Sequence, residues 1–394
     1  MTYVKEFEHR AFGLFVHFGL YSIVGKGEWY FRLNPDCNPD DYRKLTDKFF
    51  VKKDWAKKLV AVAKKAGCRY ITLTTRHHDG FSLYDTCGLN DYDATHSACG
   101  RDLIKEFVDE CNKADILPFF YHTWLDWCDP DYTQNFDRYI TNLNKSIELL
   151  CTNYGKIGGF WFDGAWDQST DWHEDEIYGT IRKYQPHAII VNNTGLSEQG
   201  KAGHPQIDCL TFERGNPFLV SDERNIAGEM CQVLNDHWGY AAQDVNYKPL
   251  SEIIGNLVEC RACNCNLLLN TGLTGNGYVR NIDKEMLCAV GQWNAVNKKF
   301  VYNVRHSDVI ADNATMLTDG KYVYAVVSNV PVSGDENVNR RLPKRIVTLD
   351  KKIKSAVWLD NGETAEKVAD NAFAVKPFDY GTSFALRVCK IKLK

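Results

Sequence analysis

No segment of this chain reaches the ~18 consecutive apolar residues that a membrane-spanning helix needs. Neither half carries a strong excess of lysine and arginine. The first absence speaks against a membrane partner. The second speaks against nucleic acid, because 47 basic side chains face 51 acidic ones, a formal charge of −4, and phosphate neutralisation needs a basic surface. Dense cysteine spacing is missing too. The 14 cysteines are spread from Cys37 to Cys389, which fits buried free thiols better than a small stapled domain. The tightest group, Cys260, Cys263 and Cys265, lacks a second pair or nearby histidines, so no zinc site is read from it. At 44% hydrophobic and 25% charged, the composition also excludes a disordered or collagen-like chain.

What is present is an ordinary globular mix over 394 residues. That length suits two to three domains, or a barrel of about 250 residues with one smaller domain. Aromatic residues reach 13%, with 10 Trp and 20 Tyr, as sugar-binding clefts and large cores both use. The run Ala11 to Val24 follows Lys5 and Arg10 and has the length of a signal-peptide core. It contains His17 and Tyr21, has glycines at 13 and 19, and leads into Lys26 and Glu28 instead of small residues, so it reads better as a buried strand. With no leader read and many thiols, a cytoplasmic protein is expected.

Eight short apolar runs recur: 12–19, 70–80, 117–124, 158–164, 188–193, 208–214, 230–235 and 265–272. Amphipathic stretches separate several of them. From Asp54 to Ala66, apolar Trp55, Leu59, Val62 and Ala63 share one helical face, with lysine pairs on the other and Gly67 as a stop. Arg101–Ala114, Asp131–Tyr154 and Glu174–Tyr184 behave likewise. Near-continuous apolar strands alternating with helices predict a parallel sheet covered on its outer face, and eight of them predict a (β/α)8-like TIM barrel. Weak helical periodicity between the fifth, sixth and seventh strands predicts a partly irregular barrel. Beyond about residue 300, alternating strands with Asp-Gly and Asn-Gly turns predict an antiparallel β-sandwich. The expected division is a catalytic domain over 1–300 and a C-terminal β-sandwich over 301–394.

Functional groups of such a barrel sit at the C-terminal ends of its strands. The runs end in His17, His77-His78-Asp79, Tyr121-His122, Asp163, Asn192-Asn193 and Glu213. A structural histidine or a helix-capping aspartate accounts for any one of these, but not for six strands ending alike. Asp163, after Trp161 and Phe162, is either a cap for the next helix or a catalytic carboxylate. Glycoside cleavage requires a second carboxyl group. Glu213 is the leading candidate, Glu229 the next, and Asp79 a third. Adjacent His77 and His78 raise a metal reading, but no HExxH or spaced carboxylate motif accompanies them, and neutral imidazoles equally suit sugar hydroxyls.

Taken together, these strings resemble the α-L-fucosidases of glycoside hydrolase family 29 over about residues 10–275. The family's F-G-[IL]-F-x-H-[WF]-G and E-W-Y appear as FGLFVHFG and Glu28-Trp29-Tyr30. Its T-x-[KR]-H-H-D-G-F appears as Thr74 to Phe81, and W-F-D-G as Trp161 to Gly164. Its W-G-Y and N-x-L-L-N are matched by Trp238 to Tyr240 and Asn266 to Asn270. The resemblance implies Asp163 as nucleophile, with His17, Glu28, Trp29, His77 and His78 on the fucose hydroxyls. Tyr121 and Trp161 would line the pocket, and Trp238 would pack on the sugar's apolar side. Members place the acid/base differently. The T-P-E motif of one subgroup is approached by Thr211-Phe212-Glu213, whereas its W-E-T-C is met only as Gly228-Glu229-Met230-Cys231, so Glu213 is preferred over Glu229.

The implied reaction is retaining exo-hydrolysis of terminal α-L-fucose from glycans or glycosides, without metal or organic cofactor. Rival readings are a non-catalytic or differently specific sugar-binding barrel and a metal-dependent hydrolase.

Overall fold

The computed structural model describes residues 2–166, 171–221, 225–333 and 345–394. All eight apolar runs are strands. They are β1 Phe12–His17, β2 Tyr70–Arg76, β3 Leu117–Thr123, β4 Gly159–Asp163, β5 Ile189–Asn192, β6 Cys209–Glu213, β7 Ala227–Val233 and β8 Cys265–Gly272. Each pairs in parallel with the next, and β8 returns to β1 to close the barrel. The runs are continuously apolar because both faces are covered. Leu14, Val16, Ile71, Leu73, Phe120, Phe160 and Phe162 belong to the large core shared with the helices. The alternate residues Phe15, Tyr70, Phe119, Tyr121, Trp161, Val191, Cys209 and Leu268 fill the interior, with Val4 and Phe7 of the helix Tyr3–Glu8 in the same cluster. Gly13 is required at this level, since a Cβ there would lie 2.3 Å from the Tyr70 ring.

The helix Trp55–Ala66 buries Trp55, Leu59, Val62 and Ala63 as expected and stops at Gly67, whose φ of 88° needs glycine. The stretch 131–154 is two helices, Asp131–Gln134 and Phe136–Asn153, rather than one. Asn135, at φ −152°, ends the first, and its side chain caps the second by accepting from the Arg138 N–H at 3.3 Å. Among the described residues no helix lies between β5 and β7, and β5 meets β6 in one residue pair, so this side is irregular. No helix of the described residues is long and apolar enough to cross a membrane.

After the helix Asn281–Val296 come two antiparallel sheets. The strands are β9 Arg305–His306, β10 Thr315–Thr318, β11 Val323–Ser328, β12 Arg345–Thr348, β13 Ile353–Trp358, β14 Lys367–Ala369, β15 Ala372–Val375 and β16 Leu386–Leu393. Their orders are β13-β16-β11-β10-β9 and β12-β15-β14. Trp358, Val327 and Ile391 of one sheet pack with Val347 and Phe373 of the other, as in a sandwich. Trp293 Nε1 donates to Leu386 O at 2.8 Å, tying this unit to the barrel's last helix.

Candidate active site

The two-residue period of a strand decides what reaches the barrel mouth. Phe15 faces inward, so His17 does as well. The same parity pairs Tyr121 with Thr123, Trp161 with Asp163, Val191 with Asn193, and Thr211 with Glu213. Of the adjacent asparagines, Asn192 turns outward and accepts from Trp124 Nε1 at 3.0 Å, leaving Asn193 at the mouth. His77 and His78 lie just past β2, off the pleat, and both turn in. Their ring centres are 4.1 Å apart, and His77 stacks on Tyr121 at 5.5 Å.

Asp163 accepts from Tyr121 Oη at 2.9 Å and Asn193 Nδ2 at 3.1 Å, and His78 Nε2 stands 3.5 Å away. Burial pushes this carboxyl up, but the His78 contact and charge, with the Asn193 and Tyr121 bonds, more than offset that and hold its pKa below the usual value. Glu213 accepts from the same Asn193 nitrogen at 2.8 Å. Burial and the nearby Asp163 charge raise its pKa, against the pull of Asn193 and Arg214. Two oxygens bonded to one nitrogen at 3.1 and 2.8 Å cannot be more than about 5.9 Å apart. With the ~120° between the two N–H bonds of an amide they lie about 5 Å apart, inside the range of retaining glycosidases and short of the ~6.5–9.5 Å of inverting ones.

Around this pair the walls are imidazole and indole. His17 Nδ1 is 2.7 Å from Asn270 Oδ1, and its ring lies 5.5 Å from Trp238. Burial lowers its pKa to about 4, so it is neutral. His77 is also driven well below its ordinary value by burial, then by His78 and His17, and its buried Nδ1 has no partner among the described residues. His78 Nδ1 meets Thr123 Oγ1 at 2.6 Å. Thr123 spends its own hydrogen on Leu125 O at 2.8 Å, so it accepts from the imidazole. Glu28 is buried and accepts from the Gly239 N–H at 2.7 Å, joining the β1 loop to Trp238. Trp29 meets His78 and Trp127 edge-on. Trp161 is buried, forming the floor under Tyr121.

Two carboxylates weighed from the sequence lie elsewhere. Register sets Glu229 opposite Thr211, and Cys231 opposite Glu213. Glu229 therefore faces inward but about 6–7 Å deeper along its strand. Its oxygens accept from Tyr70 Oη and, at 3.0 Å, from Trp161 Nε1, and burial raises its pKa to about 7. Asp79 is turned away to accept from Tyr42 Oη at 2.7 Å. Neither is positioned to act with Asp163. Asn193, Asn270, Trp127 and Trp166 join the site without having been singled out as its members. Trp166, half exposed, presents its ring 5.7 Å from His78. A tryptophan three residues after the key aspartate was the available signal. Among the described residues, no three of His, Cys, Asp or Glu form a metal-ligand set.

Two carboxyls this close, one favoured as the ion and the other as the acid, match the arrangement that glycoside hydrolases use at an anomeric carbon. Comparison with known sequences narrows the class. The family model for α-L-fucosidase matches residues 2–299, and the chain belongs to that family. The human tissue α-L-fucosidase is 26% identical over 369 residues, covering 84% of this chain and 77% of that protein. The solved α-L-fucosidase isoenzyme 1 from Paenibacillus thiaminolyticus is 29% identical with a TM-score of 0.86, covering 100% of this chain and 99% of that one. A bacterial fucosidase solved with a monovalent iminocyclitol inhibitor is 25% identical with a TM-score of 0.83, covering 99% and 95%.

Proposed function

We propose that Asp163 and Glu213 carry out retaining exo-hydrolysis of terminal α-L-fucosides by double displacement. In the first step an Asp163 oxygen bonds to the anomeric carbon as the bond to the leaving oxygen breaks, and Glu213 gives its proton to that oxygen. In the second, Glu213 takes a proton from water, the water oxygen bonds to the anomeric carbon, and the ester to Asp163 breaks, restoring both groups. The observation that carries this reading is the single amide nitrogen bonded to both carboxyls. Opposite pKa directions support the division of labour, the lowered group being the nucleophile and the raised group the acid.

In this reading His17, His77, His78, Glu28 and Trp29 hold the sugar hydroxyls. The neutral imidazoles of His17 and His77 both donate and accept, and the His77 Nδ1, without a partner among the described residues, supports a polar ligand. Trp238 offers an apolar face to a methyl-bearing sugar, over a floor made by Tyr121 and Trp161. The substrate is a fucosylated oligosaccharide or glycan. Residues 1–300 form the catalytic domain and 301–394 a β-sandwich packed against it. Fourteen unpaired cysteines support a reducing, cytoplasmic setting.

The test is the initial rate on an aryl α-L-fucoside for wild type and Asp163→Ala. Release by wild type that falls by several orders of magnitude in the variant is expected. No release by folded wild type, or an active Asp163→Ala, refutes the assignment.

A further inference from the structure

We propose that Asn193 is a positioning residue that couples the two carboxyl groups, setting their separation and supporting whichever of them bears the charge at each stage. The proposal rests on the roles given above to Asp163 and Glu213. Asn193 follows β5, and its backbone N–H donates to Phe162 O at 2.8 Å, next door to Asp163 on β4. Its Oδ1 faces the Gly195 N–H at 3.4 Å. That leaves Nδ2 toward the site, where its two hydrogens divide between Asp163 Oδ1 and Glu213 Oε2. An amide carbonyl in that place would be repelled by the ionised Asp163 oxygen, so the orientation is fixed by chemistry as well as by the turn.

Other groups face one carboxyl or the other. Asp163 meets His78 from the β2 end and Tyr121 from β3, with His17 of β1 nearby. Glu213 feels Arg214 beside it, Glu28 from the β1 loop and the Cys231 thiol of β7. Among the described residues Asn193 is the one side chain bonded to both. Before attack, Asp163 is ionised and Glu213 protonated, so the N–H on Asp163 bears on a full charge. After attack the Asp163 carboxyl is a neutral ester and Glu213 has lost its proton, so the second N–H bears on the new charge. One amide thus serves both half-reactions without moving a proton itself. Both bonds favour the ionised form of their acceptor, which fixes the sign of the test.

The experiment is the pH dependence of kcat/KM on an aryl α-L-fucoside for wild type, Asn193→Ala, Asn193→Ser and Asn193→Asp, with the fold of each checked by circular dichroism. For Asn193→Ala we expect kcat to fall about ten- to a hundredfold with little change in KM, the loss of bonds to charged acceptors. Both limbs of the bell should move to higher pH. Asn193→Ser, with one O–H, should return one limb and not both. Asn193→Asp, with a third carboxylate in place of the donors, should displace both limbs furthest. A lowered kcat with both limbs unmoved, or an unchanged kcat, overturns the coupling while leaving the fucosidase reading intact. A folded wild type that releases nothing overturns that reading and this role with it.

Discussion

Glu229 offers a quantitative test of which glutamate does the chemistry. The residue is 2% exposed inside the barrel, where Tyr70 and Trp161 donate to its carboxyl, and burial raises its pKa to about 7 from an ordinary 4.5. The native state therefore holds this proton more tightly than the unfolded chain. Below pH 4.5 both states are protonated and nothing is lost. As pH rises toward about 7, the unfolded chain ionises first and native stability falls. Above that the loss is complete, at about 3 kcal/mol from the ratio of the two constants. Glu229→Gln removes the titration and keeps the shape. Urea unfolding at several pH values should show the variant gaining about 3 kcal/mol on wild type between the acid and alkaline ends. In parallel, Glu229→Gln should keep kcat on a fucosylated oligosaccharide within about tenfold, whereas Glu213→Gln should lose about 10²–10⁴-fold as a missing proton donor. A stability gap that does not vary with pH, or a rate collapse in Glu229→Gln with Glu213→Gln spared, would refute this reasoning.

Three further outcomes follow from the same geometry. Wild-type kcat/KM should be bell-shaped, failing on the acid side as Asp163 takes a proton below its ordinary 3.8 and on the alkaline side as Glu213 loses one above its ordinary 4.5. Tyr121→Phe removes one donor to Asp163 and should move only the acid limb upward. Gly164 has φ +96°, and a Cβ there would lie 3.0 Å from Leu125 and 3.1 Å from the His78 ring. Gly164→Ala should therefore cost about 1–3 kcal/mol in a melt and lower kcat by pressing on the imidazole beside Asp163.

The barrel was legible because burial on both faces writes each strand as an unbroken apolar run. β7 is the partial exception. It starts at Ala227, three residues before Met230, where Ala-Gly-Glu resembles a turn more than a strand. The break at Asn135 was hidden, since neither proline nor glycine marks it and the apolar spacing continues into the next helix. Strand-end residues were readable as a group, but their partners were not. Glu213 and Glu229 each follow a plausible motif, and only the register β6–β7 separates the mouth from the layer beneath. Asn193 could be seen to end a strand. That its nitrogen meets carboxyls from β4 and β6 depends on β5 pairing between those two strands, which no local pattern records.

Asp163 and Glu213, about 5 Å apart, are proposed to act by double displacement. Proton NMR of the first-formed sugar tests it most directly, following hydrolysis of an aryl α-L-fucoside faster than the product mutarotates. α-L-Fucose is expected first, with the β anomer growing in only as equilibrium is reached. β-L-Fucose as the initial product would mean a single displacement by water and would contradict the nucleophilic role of Asp163.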